Sequence, residues 1–527
     1  MNRYKSSSIF LLLSALFFTA CDNSLLDTVP NDRLSSGVFW KTDNDAKMAT
    51  NSLYTFLDST NIFTWDALTD IAHVNQNIAA EATIDRGNYD ALNGTVWDEW
   101  KRTYTGIRAV NYFMENVDKI TVTDTALINR LKGEARTLRA YQYIKLAALY
   151  GDVPLITGTI SIAEASKIKR TPVKEIWDFV DAELTAVAPA LPVSYGAADK
   201  GRITKGAALA LKARADLYAG RYQLAADAAE QVMGLGYTLY GSYQQLFSYA
   251  AENNTEVILD KQFVKDLYPN NVFNRLAPYS QKSATSYYVP TKALTDAYEM
   301  SNGKAIDAAG SGYDPFHPND NRDPRLRYSI FVQGDQLPSG ITYNPVPGSG
   351  TPDAIGNTYL ATSTGYNIRK YVNPEDYANP TNCGINIILL RYAEVLLTYA
   401  EAKIELNTID ASVYKAINDV RQRADVNMPQ LATDLGQNEL RQAVRHERMV
   451  ELALEGLRLF DIRRWKTAAT LMTGPVYGMT YTDGGVVKTI TVSAFTRNFE
   501  APKHYLWPVP QPETDLNPNL MPQNPGW

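Results

Sequence analysis

Residues Arg445 to Trp465, RHERMVELALEGLRLFDIRRW, set three evenly spaced glutamates into a stretch that is largely apolar and arginine-rich. Strong helix formers fill it, proline is absent, and Gly456 is its only weak position, so the pattern predicts one long helix. Apolar residues fall on every side of that helix, as suits burial all round. Glu447, Glu451 and Glu455 would then stack on one face, where like charges oppose each other by ~0.2–0.5 kcal/mol per pair. Cations must answer them, and Arg448, Arg458 and Arg463 are the expected partners. Such a row is either an acid/base centre or a structural ion-pair net, and the rest of the chain decides between them.

The N-terminus carries the routing information. Arg3 and Lys5 precede an apolar run from Ile9 to Phe18, which is far shorter than the ~20 residues needed to span a bilayer. Residues 1–20 therefore read as a signal peptide. Phe18-Thr19-Ala20-Cys21 resembles a bacterial lipobox, with Phe18 where leucine is usual, so Cys21 is the expected lipidation site. Residues 21–36 would form the tether. Acyl chains at ~0.8 kcal/mol per buried methylene anchor a protein without a spanning helix. With Cys21 acylated, Cys383 has no partner and no disulfide is expected. The two cysteines and four histidines show no metal-ligand spacing, so neither a metal nor a cofactor is expected. A net charge of only -6 with no basic cluster excludes a nucleic-acid partner.

Beyond the tether, residues 37–236 read as mostly helical. Thr42 or Asp43 caps a helix to about Leu57, and Asn61 to Leu92 is irregular and polar. Trp97 to Ile120 is helical again. Asp124 to Tyr150 runs into a Gly151-Asp152-Val153-Pro154 exit, and Thr171-Pro172 opens the next helix. Two short helices between Gly201 and Gly236, with alanines at Ala207, Ala210, Ala215, Ala225 and Ala229, resemble a tetratricopeptide helix–turn–helix. Residues 237–386 change character: Gly, Pro, Asn, Asp and Tyr dominate, which predicts a loop-rich subdomain with short strands. Helices resume in 387–527, first from Ile387 to Leu406 and then from Ser412 to Ala424. The Pro-rich tail YLWPVPQPETDLNPNLMPQNPGW is expected to wrap the surface in extended form.

Four stretches then carry a family resemblance: GEARTLRAYQYIKLAALYGDVPLI, GRITKGAALALKARADLYAG, ILLRYAEVLLTYAEAKIEL with RHERMVELALEGLRLFDIRRW, and the terminal tail. Together with the lipobox and NDNRDPR at Asn319 to Arg325, they resemble the SusD/RagB family of outer-membrane nutrient-binding lipoproteins. That resemblance implies a mostly α fold: a scaffold of tetratricopeptide-like helix pairs beside an irregular region. It implies a cell-surface, lipid-anchored protein on the outer membrane that binds oligosaccharide and serves a SusC-like TonB-dependent transporter. It implies no catalysis.

Sugar binding requires aromatic planes for apolar sugar faces and polar groups for the hydroxyls. The chain holds 33 Tyr and 8 Trp against 16 Phe. Residue type and loop placement nominate Trp65, Tyr89, Asn93 and Trp97 from the early loop, and Tyr287, Tyr288, Tyr313 and Phe316 from the middle region. Trp100 and Tyr104 share a helical stripe with Ile107 and are assigned to the core, and Arg322 and Asp323 to the turn before Arg325. Two rivals stand beside this reading. A glycoside hydrolase would need two carboxylates roughly 5–10 Å apart across a cleft. A peptide-binding lipoprotein would use the helical scaffold for protein segments. Within the family pattern the carboxylate row at Glu447 reads as the buried strut of the scaffold.

Overall fold

The structure is a computed structural model that describes residues 39–76, 78–121 and 124–527. The lipobox, Cys21 and the tether lie outside the described residues. The longer helices are α1 (Asp43–Leu53), α2 (Gly94–Asn116), α3 (Thr125–Tyr150), α4 (Val173–Val187), α5 (Lys205–Tyr218), α6 (Tyr222–Met233), α7 (Tyr392–Glu405), α8 (Ala411–Arg421) and α9 (Gln437–Glu451). Capping explains where several begin. Thr42 and Asp45 form a reciprocal capping box at α1, and Asp124 and Thr204 accept from the first-turn amides of α3 and α5. At the end of α3, Gly151 adopts φ +72°, a conformation open to glycine, and the chain turns out before Pro154.

From α2 to α7, each of these helices packs on the next, and α7 then receives both α8 and α9. The contact between α6 and α7 closes the array across the intervening residues 237–386. The alanines of α5 and α6, with Ala207, Ala225 and Ala229 fully buried, let those two helices approach closely. The protein is thus mostly α-helical, with a tetratricopeptide-like stack of pairs. One apolar cluster runs from Trp40 through the middle region to Leu520.

The strand pairs are antiparallel, and all but one hairpin are short: β1 (Ala72–Val74) with β3 (Tyr288–Pro290), β2 (Val257–Lys261) with β6 (Ile387–Arg391), and β4 (Ile330–Phe331) with β5 (Asn367–Ile368). The long hairpin β7 (Thr473–Asp483) and β8 (Val486–Asn498) turns on Gly484-Gly485 and was not expected from the sequence.

Four expectations are corrected. Residues 387–391 are strand, because Ile387 and Ile388 pair with Lys261 and Asp260, so α7 begins only at Tyr392. The segment 61–92 contains helices Ile62–Ala67 and Ala80–Arg86 and strand β1. The tail contains helix Gln511–Leu516, whose prolines sit at its start, where a missing N–H costs nothing, and it buries Trp507 completely.

The fourth correction concerns the carboxylate stretch itself. Helix α9 stops at Glu451, Leu454 and Gly456 take φ of +64° and +85°, and a second helix runs over Arg458–Arg464. The carboxylates are buried as expected, but their partners come from other elements. Glu447 pairs with Arg325 and Arg421, Glu451 with Arg325, Arg391 and Arg423, and Glu455 with Arg391 and Lys370. Of the arginines expected there, Arg448 pairs with Asp461 and Arg458 with Asp70. Burial opposes ionisation of Glu451, yet Arg423, Arg391 and Arg325 together hold its carboxyl well below the usual range.

Candidate functional site

The β-turn after β2 builds an exposed aromatic platform beside two clefts. Val264 and Tyr268 exchange backbone hydrogen bonds of 3.0 and 2.9 Å across a tight loop. Asn382 grips its tip from outside, donating to the Asp266 carboxylate at 2.7 Å and accepting its backbone N–H at 2.8 Å. The Tyr268 ring lies parallel to Phe263, with centroids 5.4 Å apart and an 8° interplanar angle. Tyr268 remains 47% exposed. A ring held in this way presents a flat apolar surface with little side-chain entropy left to lose.

Tyr268 and Lys261 stand between two open clefts and line both. The first, of about 410 Å³, is walled by Asn61, Trp65, Glu81, Asp98 and Arg102; the second, of about 400 Å³, by Asn51, Asp199, Arg202 and Gln262. The result is one long groove with an aromatic step at its centre and amide, carboxylate and guanidinium groups along its edges. Lys261 donates to the Tyr54 carbonyl at 2.6 Å and lies 5.4 Å from the Tyr268 ring centre. Burial, with Arg102 nearby, brings its ammonium down to about 8.

Beneath the first cleft, Lys145 donates to Asp58 at 2.6 Å and also pairs with Glu99, while Arg102 bridges the same two carboxylates. Tyr141 and Asn61 each donate to Asp58 at 2.8 Å. Burial favours the neutral acid at Asp58, but Lys145 and Arg102 outweigh it and hold the carboxyl well below its ordinary range. A general acid must carry a proton, and Asp58 does not. The cluster fixes the floor of the groove and orients Arg102 and Asn61 at its edge.

The nominated residues divide. Trp65 underlies the cleft, but its ring is 3% exposed, packed against Trp507 with Lys145 5.4 Å from the ring centre. Tyr288 is 1% exposed, its hydroxyl held by Arg275 and paired with Thr64 at 2.6 Å. Burial of two large rings outweighs any gain from leaving them in water, so neither offers a face to a ligand. Tyr287 stays half-buried beside Arg275, 4.2 Å from its ring centre, and Glu81 of the first cleft lies close enough to raise its hydroxyl together with burial.

Asn93 caps α2, accepting from Val96 and donating to Ala80 and Thr83. Trp97 donates to Glu513 of the tail at 3.0 Å. Tyr89 packs on His504 and Trp527 and lines another cleft. Tyr313 sits by Arg322 on a separate loop, where Phe316 is 51% exposed. Trp100 is in the core as expected, and Arg322 and Asp323 fix their turn, Asp323 accepting from the Arg325 N–H at 2.9 Å.

Tyr268 was missed by residue-type reasoning. The signal was present, since Tyr268 precedes Pro269 in the loop-rich region as Tyr288 nearly precedes Pro290, but only the pairing of 264 with 268 distinguishes the platform. Among the described residues no His/Cys/Asp/Glu group could hold a metal, and no helix is long and apolar enough to cross a membrane. Burial pushes the Cys383 thiol up to about 12, which leaves it unreactive.

A helical stack presenting an open, aromatic-stepped groove defines a scaffold-type binding protein. The chain belongs to the SusD family, whose model matches residues 245–527. A second model, described as starch-binding and associating with the outer membrane, matches residues 33–217. SusD-like protein P2 of Formosa agariphila is 28% identical over the full length of both chains. A SusD-like carbohydrate binding protein from Bacteroides fragilis superposes with a TM-score of 0.85 at 29% identity, over 92% of this chain and 100% of that one. A second SusD-like protein of that organism gives 0.82 at 28% identity, over 95% and 100%. The family is one of binding proteins, not enzymes.

Proposed function

We propose that the protein captures oligosaccharide at the outer face of the outer membrane, held there by lipid on Cys21, and delivers it to a SusC-like TonB-dependent transporter. The observation that carries the binding half is the exposed Tyr268 ring, stacked on Phe263 between two confluent clefts. A sugar unit stacks on Tyr268, and its neighbours extend along both clefts toward Asn61, Arg102 and Glu81 on one side and Arg202 and Gln262 on the other. Tyr287 stands near Glu81 of the first cleft. An open groove of this kind suits a polymer that enters and leaves quickly, and it performs no bond chemistry. Tyr313 and Phe316 lie on another loop and are not needed.

The test is calorimetry of the soluble protein against parallel panels of glycans and peptides, with Tyr268→Ala beside the wild type. Glycan binding that weakens in the variant supports the reading. Binding confined to peptides, or glycan affinity unchanged in Tyr268→Ala, overturns it.

A further inference from the structure

Arg463 is a buried cation without a counter-charge. Its sequence neighbours are matched: Arg458 pairs with Asp70, and Arg464 with Glu401 and Asp461. Arg463 makes no ion pair among the described residues, and its Nε and Nη1 are buried without a hydrogen-bond partner. It is 7% exposed. A charge so placed is expensive unless something balances it.

Two more side chains with buried, unpartnered polar atoms share a void with it. The Tyr89 hydroxyl lies beside the guanidinium in a contact too loose to satisfy it, and it too is buried. His504 is 2% exposed, and its Nδ1 accepts the Glu500 backbone N–H at 2.9 Å. Burial and Lys503 bring this imidazole down to about 4, so the ring is neutral and its proton sits on Nε2, which is likewise unpartnered. Arg463, Tyr89 and His504 all line a small, partly open void of about 20 Å³, whose wall also includes Leu459, Ile462, Met472 and Asn498. One carboxylate, Asp85, reaches that wall, but it is engaged by His73, Val74 and Arg497.

The void has room for one water-sized body. Its polar lining supplies guanidinium N–H, imidazole N–H and phenol O–H, with Asn498 beside them and one unbalanced positive charge. A water could give its hydrogens to acceptors such as Asn498 but would leave the guanidinium charge unbalanced; a monatomic anion supplies that charge. We propose that Arg463, Tyr89 and His504 form an internal site for a single halide ion, chloride in the natural setting. The ion joins three segments distant in sequence: the residue 89 turn, helix Arg458–Arg464 and the C-terminal tail. Tyr89 then belongs to this site and not to the glycan groove.

The test uses the full soluble protein. Melting is followed while sodium chloride replaces sodium gluconate at constant ionic strength, and crystals soaked in bromide are examined for anomalous scattering. A saturable rise in Tm of about 2 °C or more with chloride is expected. An anomalous peak within about 3.5 Å of both Arg463 and His504 Nε2 is expected with it. Equal melting in both salts with no bromide peak overturns the proposal and leaves a water in the void. Folded Arg463→Gln should lose the chloride dependence; if it keeps it, the proposal also fails. Should that variant not fold, the wild-type titration and bromide map decide on their own.

Discussion

Arg391 Nη1 lies 2.7 Å from Glu451 Oε1, although one residue ends strand β6 and the other ends helix α9. The same arginine reaches Glu455 through Nε and Nη2, and Glu256 through Nη1. Through it the strand pairing, the helical stack and the turn after α9 are joined at one buried point. Removing Glu451 leaves Arg325, Arg391 and Arg423 short of an anion in a site closed to water. Loss of one partner from such a pair costs ~3–5 kcal/mol. Glu451→Ala should therefore lower soluble yield and the urea midpoint, while the folded fraction keeps its glycan affinity. A stable Glu451→Ala protein that no longer binds would place a ligand site at this cluster.

Gly456 separates what the sequence expects from what the chain does. In a continuous helix, Gly456→Ala would stabilise the protein by up to ~1 kcal/mol. Here Gly456 has φ +85°, and an added Cβ would lie 2.9 Å from Ile62 Cβ and 3.0 Å from its carbonyl oxygen. Gly456→Ala should instead destabilise, by more than ~1 kcal/mol, in a chemical denaturation series.

The helix break shows which layer of the structure is legible in a sequence. Helix starts at Thr42 and Asp124 were readable because capping is local, and so was the stop at Gly151. The break at Leu452 to Leu457 was not, because its cause is distant: Asp66 accepts from the Gly456 and Arg458 amides at 2.8 and 3.0 Å. The same holds for the groove. The loops that form it could be named, but Trp65 and Tyr268 differ only in which ring finds a partner in the core. Trp65 meets Trp507, more than four hundred residues away, while Tyr268 is propped up by Phe263, five residues before it.

Those two aromatics give opposite predictions. Tyr268→Ala should weaken glycan binding by about tenfold, equivalent to ~1.4 kcal/mol, with little change in Tm. Trp65→Ala should cost ~3–5 kcal/mol of stability through the cavity it leaves. Calorimetry and thermal melting of both variants check the pair; equal binding losses at full stability would mean that Trp65 also meets the ligand.

Asp66 provides the pH dependence. Its carboxyl is fully buried, and burial pushes it up to about 7 from an ordinary 3.8, despite the two amides it accepts from. The folded protein thus holds this proton more tightly than the unfolded chain does. Its contribution to stability is complete below pH 3.8 and is lost as pH rises through about 7. Asp66→Asn cannot titrate, although it gives up one of the amide hydrogen bonds at every pH. The variant should be clearly less stable than wild type at about pH 5, and the gap should narrow by up to ~1.4 kcal/mol per pH unit toward neutrality. Urea melts of both proteins at about pH 5, 6 and 7 read this directly. Parallel curves would show that Asp66 stays ionised throughout, and that the turn after α9 is held by a charged cap.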